Sequence, residues 1–325
     1  MDCAKFDGTP WPVEYLTALG VDPVAIRLVV ASHWHSDHVD GISELVRHAI
    51  GARFVCSRAI RCDEFQSLIA CYADSTDLPT MRAPLKEITQ TFGIIEERLR
   101  RSMANAPRLA GEKQILWQTP DGRIDVWALS PSDADVMASL VEFKKLFIPE
   151  GEPLRGISPI RQNESCVVVA VRVDQQWILL GSDLEVTGTA STGWNAIVGA
   201  PLAQLKPASV YKLAHHGSTN GFSPVVWNAL LDPKAITVVT PYSRSRLPRQ
   251  EQIEIMKAQG REIYITARHQ AQPARRAASA TRMIERQTTA FQPSPAPPDF
   301  GFVRMRKNPT SPNWGVELFG AAARL

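Results

Sequence analysis

Apolar and polar positions along the chain follow two rhythms, one helical and one alternating. Residues 13–19 carry helical spacing after Pro12 and stop at Gly20. Residues 25–31 are a β-branched apolar run fit for a buried strand, ending at Ser32. A polar stretch over 33–40 follows, then a helical pattern over 41–50 with Asp40 as its expected cap and Gly51 as its stop. Residues 52–56 form another short strand pattern. From about residue 61 to 103 the spacing is helical and charge-rich, which predicts a helical insertion.

Strand patterns return at 124–129, then, after a helix over about 134–147, at 166–173 and 177–180. Residues 174–176 read as the turn of that last pair. Further strands are expected at 209–213, 235–239 and 262–266, with a helix over 249–258 ended by Gly260. A proline-rich connector at 293–298 leads to a final strand pair at 301–306 and 314–319. Strands and helices interleave without a repeat, which predicts a layered α/β architecture.

Composition narrows the class. The chain has 325 residues, 44% hydrophobic and 21% charged, which excludes a disordered or collagen-like protein. No apolar run approaches the roughly 18 residues of a membrane span. The first residues show no basic stretch followed by an apolar core, so the expected setting is cytoplasmic, without a membrane partner. Cys3, Cys56, Cys62, Cys71 and Cys166 contain no CxxC pair and read as reduced, partly buried thiols. The net charge of +3 is uneven, because residues 241–325 hold 14 Lys and Arg against 6 Asp and Glu. That basic quarter suits an anionic partner such as nucleic acid, or is an ordinary solvated surface.

The chemistry concentrates in one short loop. His33, His35 and His38, three of seven histidines, fall within six positions with Asp37 among them. In extended backbone, positions two apart share a side, so His33 and His35 can approach one ion together. Asp37 and His38 lie where the chain turns and can reach a second. Imidazole and carboxylate together suit zinc or a similar divalent metal.

His33-Trp34-His35-Ser36-Asp37-His38 resembles the HxHxDH signature of the metallo-β-lactamase fold superfamily. Gly181-Ser182-Asp183 at the end of a strand resembles that family's Gly-x-Asp, whose Asp bridges two metals. His215-His216-Gly217-Ser218 resembles the HHGS segment of one branch, the C-terminal hydrolase domain of ComEC competence proteins. Asn163-Glu164-Ser165 is similar to an Asn-bearing stretch of the same branch. The resemblance spans about residues 1–270 and implies an αββα sandwich, two facing sheets with helices outside. It implies one hydrolase domain over 1–270, with the insertion at about 61–103. Residues 271–325 are then a C-terminal extension whose strand pair packs on the same domain.

Carried over, the resemblance implies two divalent ions, zinc ahead of manganese. His33 and His35 hold the first, Asp37 and His38 the second, and Asp183 bridges them. One histidine of the adjacent pair completes the second site, His215 being preferred because it comes directly off its strand. His216 is then a substrate contact, along with Asn163, Lys212 and Ser218. Asp37 is the catalytic residue that orients a water or takes its proton. Lys212, Ser218, Arg244, Arg246 and Arg249 are candidates for gripping a phosphate, or are ordinary surface residues.

Three departures stand out. No histidine lies between His48 and His215, so Asn163, or a water it holds, is expected to stand in for the family's further ligand. Arg246-Leu247-Pro248 occupies the place of a Gly-His-Pro. Asp2-Cys3 resembles the turn that follows the fold's opening strand pair, so that pair is expected to be missing. Either the polypeptide starts upstream or the fold tolerates an incomplete first sheet with an exposed edge. The expectation is a metal-dependent hydrolase, first a phosphodiesterase or nuclease acting on nucleic acid or another phosphate-bearing substrate. A carbonyl substrate (lactone, thioester or β-lactam) comes second, and a non-catalytic metal-binding module third; the fold alone does not separate them.

Overall fold

The β-branched runs become strands because they are covered on both faces. The computed structural model of the chain describes residues 1–6, 8–61, 65, 79–102, 106–145, 163–243, 245–267, 301–308, 311 and 313–325. Two short strands, β1 (Lys5–Phe6) and β2 (Thr9–Pro10), precede helix α1 (Trp11–Ala18). Strand β3 (Leu28–Ala31) leads through the histidine loop into a single turn, α2 (Ser36–Val39), and then α3 (Ile42–His48). Next come β4 (Arg53–Ser57), α4 (Pro79–Arg100), β5 (Arg108–Ala110) and β6 (Gln114–Gln118). They are followed by β7 (Ile124–Ala128), α5 (Asp133–Lys145), β8 (Val169–Val173) and β9 (Gln176–Leu180). Helix α6 (Gly193–Gly199), β10 (Ala208–Lys212), α7 (Pro224–Leu230) and β11 (Leu231–Val239) continue the order. The last elements are α8 (Gln250–Lys257), β12 (Ile263–Ile265), β13 (Gly301–Lys307), β14 (Trp314–Gly320) and β15 (Ala323–Arg324).

Strands β3, β4 and β5 make a small parallel sheet. The large sheet runs β15-β12-β11-β10-β9-β8-β7-β6, antiparallel from β6 to β9 and parallel from β9 to β12. Val30, Val55 and Ala110 of the small sheet meet Leu116, Val126, Ala128 and Val169 of the large one in the layer between them. Side chains alternate along a strand, so Val29, Ala31, Phe54 and Cys56 face the other way. There they pack with Ile42 and Leu45 of α3 and Ile88 and Ile95 of α4. The outer face of the large sheet packs Leu179 and Tyr211 against Trp194, Trp227, Ile253 and Met256 of α6, α7 and α8. Two facing sheets with helices outside are the arrangement the resemblance implied.

The small sheet is too narrow to cover its partner. The β13–β14 hairpin fills the gap, laying Val303, Met305, Trp314 and Val316 on Ile236, Val238 and Tyr264. Phe302 of this hairpin lies 5.4 Å from Trp11 and 5.3 Å from Tyr15 on α1, ring centre to ring centre. Before β3 the described chain offers only the two-residue pairing of β1 with β2, which joins neither sheet.

The structure corrects several boundaries. The strand expected from residue 25 begins at Leu28, because Pro23–Ala25 form a tight 3₁₀ turn in which the Val24 amide donates to the Asp22 carboxylate. Asp40 does not cap α3; Gly41, at φ 84°, makes the sharp turn that starts it. Strands β5 and β6 and helices α6 and α7 add to the elements expected from the sequence. Parts of the expected insertion (62–64, 66–78, 103), the connector at 293–298, and Cys62, Cys71 and Arg244 lie outside the described residues. Among the described residues no helix is long and apolar enough to cross a membrane.

Candidate metal centre

The histidine loop is fixed by Asp2. Its carboxylate accepts from the Ser32 amide at 2.7 Å and the Ser32 hydroxyl at 2.8 Å, and lies 2.9 Å from His38 Nδ1. Ser32 Oγ is 3.1 Å from His33 Nδ1. With both Nδ1 atoms engaged, the rings of His33 and His38 present Nε2 toward Asp183. Both Nε2 atoms are buried. The single turn α2 sets Asp37 beside His38, and the His33 and His35 ring centres are 4.6 Å apart.

The large sheet supplies the rest. A Cβ on Gly181 would sit 2.9 Å from the Lys212 carbonyl oxygen, to which the Gly181 amide donates at 3.0 Å. Only glycine lets the loop after β9 lie against the end of β10 this closely. The same contact continues as the His215 amide donates to Ser182 O at 2.9 Å. Asp183 is thereby held where its Oδ1 is 3.2 Å from His38 Nε2, and its Oδ2 is 4.0 Å from His33 Nε2 and 3.6 Å from His216 Nε2. His216 Nε2 lies 3.0 Å from Asp37 Oδ2. Two groups result, each with its ligand atoms within 4.8 Å of one another: Asp37, His38, Asp183 and His216, and His33, His35 and Asp183.

Asp183 is the member common to both. Burial alone would raise its carboxyl, but His38, His33 and His216 outweigh burial and hold it well below the usual carboxylate range. Asp37 behaves alike: burial opposes ionisation, while the hydrogen bond from His216 and the charge of His38 favour it more strongly. Burial pushes His33 and His35 down, so both are neutral. His38 is opposite, because Asp183 and Asp2 overcome the effect of burial and raise it. Ionised carboxylates and the neutral imidazoles of His33 and His35 are donors a divalent cation needs, and His38 would give up its proton on binding one. The residues present fit such an ion.

The structure sets the adjacent histidines in different surroundings. His216, not His215, joins the group with Asp37, His38 and Asp183. Its ring stacks on Tyr242 at 4.9 Å and its Nδ1 lies 2.9 Å from Thr240 O. His215 Nδ1 is instead 2.9 Å from Glu185 Oε1, and its Nε2 is 3.4 Å from Asn163 Nδ2. Position directly after the strand is a poor guide because both residues take left-handed backbone, φ 43° and 52°, which turns the chain between them.

Asn163 is 2% exposed, donates to Glu185 Oε1 at 2.9 Å, and leaves its Oδ1 buried without a hydrogen bond. The Ser218 hydroxyl donates to Asn220 Oδ1 at 2.7 Å and accepts from the Gly221 amide, closing its own buried turn. Lys212 Nζ donates to the Leu213 carbonyl at 3.1 Å. Leu247 pairs with Tyr242, so the segment that lacks the Gly-His-Pro histidine meets the site through the Tyr242 ring. Glu185 and Tyr242 are neighbours of the site that no motif in the sequence marks. Glu185 follows Asp183 by two residues, a signal too common to single out.

No protein-family model matches the sequence, and no curated protein matches it. Among solved structures, a Cronobacter sakazakii metallo-β-lactamase with a HARLDQ motif aligns over 79% of this chain and 88% of that one, at 15% identity and TM-score 0.32. A multiply substituted variant of that motif aligns over 76% and 82%, at 17% identity and TM-score 0.33. A further mutant aligns over 64% and 69%, at 14% identity and TM-score 0.30. At this low identity, the chain is similar to metallo-β-lactamase proteins among the solved structures.

Proposed function

We propose that the protein is a metal-dependent hydrolase of phosphodiester bonds, a phosphodiesterase or nuclease holding two divalent ions, zinc ahead of manganese. The observation that carries this reading is Asp183 standing between two donor groups, with the buried Nε2 atoms of His33 and His38 turned toward it. His33, His35 and Asp183 would hold one ion, and Asp37, His38, Asp183 and His216 the other. When bound, such ions supply Lewis acidity and bring the pKa of water from 15.7 to about 7.

The chain's own residues do the remaining work. Asp37 has the most exposed carboxylate of the donor groups, at 27% of its side chain. Kept ionised by His216 and His38, it accepts a hydrogen bond from the attacking water and so orients it. His215 stands beside the ligands, raised above its ordinary value because Glu185 and Asp183 outweigh burial. Glu185 Oε1 beside its Nδ1 and the Asn163 amide beside its Nε2 steady the ring at the edge of the site, where it is placed to meet a substrate. The preference for phosphate over a carbonyl is supported by the ComEC-like resemblance of residues 163–165 and 213–218.

The test begins with metal analysis of the purified protein. Bis(p-nitrophenyl) phosphate, single-stranded DNA, a lactone and a cephalosporin are then offered with zinc and with manganese. Phosphodiester cleavage that Asp37→Ala abolishes is the expected result. Cleavage of the lactone or cephalosporin alone, or bound metal without turnover, overturns it.

A further inference from the structure

Two adjoining cavities of about 480 and 520 Å³, lined by none of the metal-centre residues, share Arg53 and Arg108 in their walls. Arg58 and Gln114 line the first, and Arg27 and Trp117 the second. Among the described residues that line them there is no carboxylate. Arg53 opens β4 and Arg58 follows its end, so the basic track is five residues of strand long, roughly 16 Å. Arg27 precedes β3, and Arg108 opens β5. Arg27 and Arg53 lie at one margin of this parallel sheet and Arg108 opposite Val55 two residues further along, while Arg58 follows the end of β4 that neighbours the end of β3 leading to His33.

The four arginines are not consumed by the fold. Arg27 and Arg53 have no hydrogen-bonded or ion-paired side-chain partner among the described residues. Arg58 pairs, among the described residues, with Asp133, whose side chain is 83% exposed. Arg108 is anchored through one nitrogen, Nη1, on the carbonyls of Ile115 and Leu116, which fixes its guanidinium in place. Trp117 is half-buried: it packs on the apolar layer between the sheets and also forms groove wall.

We propose that this groove binds single-stranded nucleic acid, its arginines following successive phosphates and Trp117 stacking on a base. Guanidinium matches phosphate in a two-pronged geometry, and basic grooves with an aromatic platform suit strands whose bases are unpaired. A track this long exceeds what one phosphate needs, and a duplex hides its base faces from Trp117. For the choice of polymer the inference rests on the phosphodiester reading; the binding itself needs no hydrolysis.

The experiment follows a fluorescein-labelled oligothymidylate by anisotropy on the full chain, in EDTA, at low and at physiological salt. Arg27→Glu combined with Arg53→Glu weakens binding about tenfold or more. It also lowers the slope of log K against log salt by roughly 1.4, at about 0.7 for each phosphate that is no longer neutralised. Hydrolysis of bis(p-nitrophenyl) phosphate by this double variant stays at the parent level. Trp117→Ala weakens binding with the slope unchanged, while Trp117→Tyr, which keeps a stacking face and fills the same wall, restores most of it. Unchanged affinity and slope in the double arginine variant overturn the proposal, as does equally tight binding of a duplex of the same length. A protein that binds the oligonucleotide through these arginines but cleaves no phosphodiester refutes the proposed activity and leaves the groove standing.

Discussion

Asp2 touches three groups at once, the Ser32 amide, the Ser32 hydroxyl and the His38 ring. None of these is a proposed cation contact of Asp2 itself, yet all set where the imidazoles point. Outer partners of metal ligands typically hold 10–100-fold in affinity, so Asp2→Ala should weaken zinc binding by about that factor. Competition against a chromophoric chelator measures it, and an unchanged affinity would show that the rings hold their aim without this carboxylate. Asp183→Ala should be far more severe, because it removes the atom pair common to both groups; the metal content of the purified variant reads this directly. At this scale the loop His33 to His38 was legible because its ligands are local and their spacing encodes their faces. The choice between His215 and His216 was not, since it depends on two left-handed backbone positions. The Glu185 and Asn163 neighbours of His215 were illegible as a set for a related reason, being 22 residues apart in the chain.

Among the elements, the hairpin of β13 and β14 depends on a close approach at its first residue. A Cβ on Gly301 would lie 2.4 Å from the Ala322 nitrogen and 2.5 Å from the Thr266 carbonyl oxygen, both backbone atoms with little room to yield. Gly301→Ala should therefore cost about 2 kcal/mol as the strand is forced outward. Urea denaturation with an unchanged m-value and a lower midpoint is the expected outcome; an unshifted midpoint would mean that the hairpin can slide without loss. Strands such as β7 and β9 were readable from alternation, and β3 from its apolar run, because burial on known faces dictates those patterns. Strand β5 has three residues, too few for any period to register. Helix α7 did carry a readable start, Ser223 accepting from the Val226 amide ahead of Pro224, but its body is seven residues long.

For the whole molecule, the buried ionisable groups set a pH limit. Burial pushes the Cys3 thiol up from 9.0 to about 12, and raises Cys166 and Tyr211 as well. Above pH 9 the unfolded chain loses the Cys3 proton while the folded chain keeps it, so stability falls as pH rises from about 9 towards 12. Urea midpoints at pH 7 and pH 10 should show the drop, and Cys3→Ala should make it shallower; equal slopes in parent and variant would assign the loss elsewhere. The layered α/β plan was visible from the order of elements alone. That a late hairpin would cover the large sheet beside a narrow first one was not, because contacts such as Phe302 with Trp11 join opposite ends of the sequence. The Asp2 clasp has a kinetic consequence at this scale. The Asp2 amide donates to Val30 O and Cys3 pairs with Val39, so the opening residues lie across the histidine loop like a latch. Freeing the His38 ring therefore requires Asp2 to release it, so any swing of that imidazole is tied to the movement of residues 2 and 3.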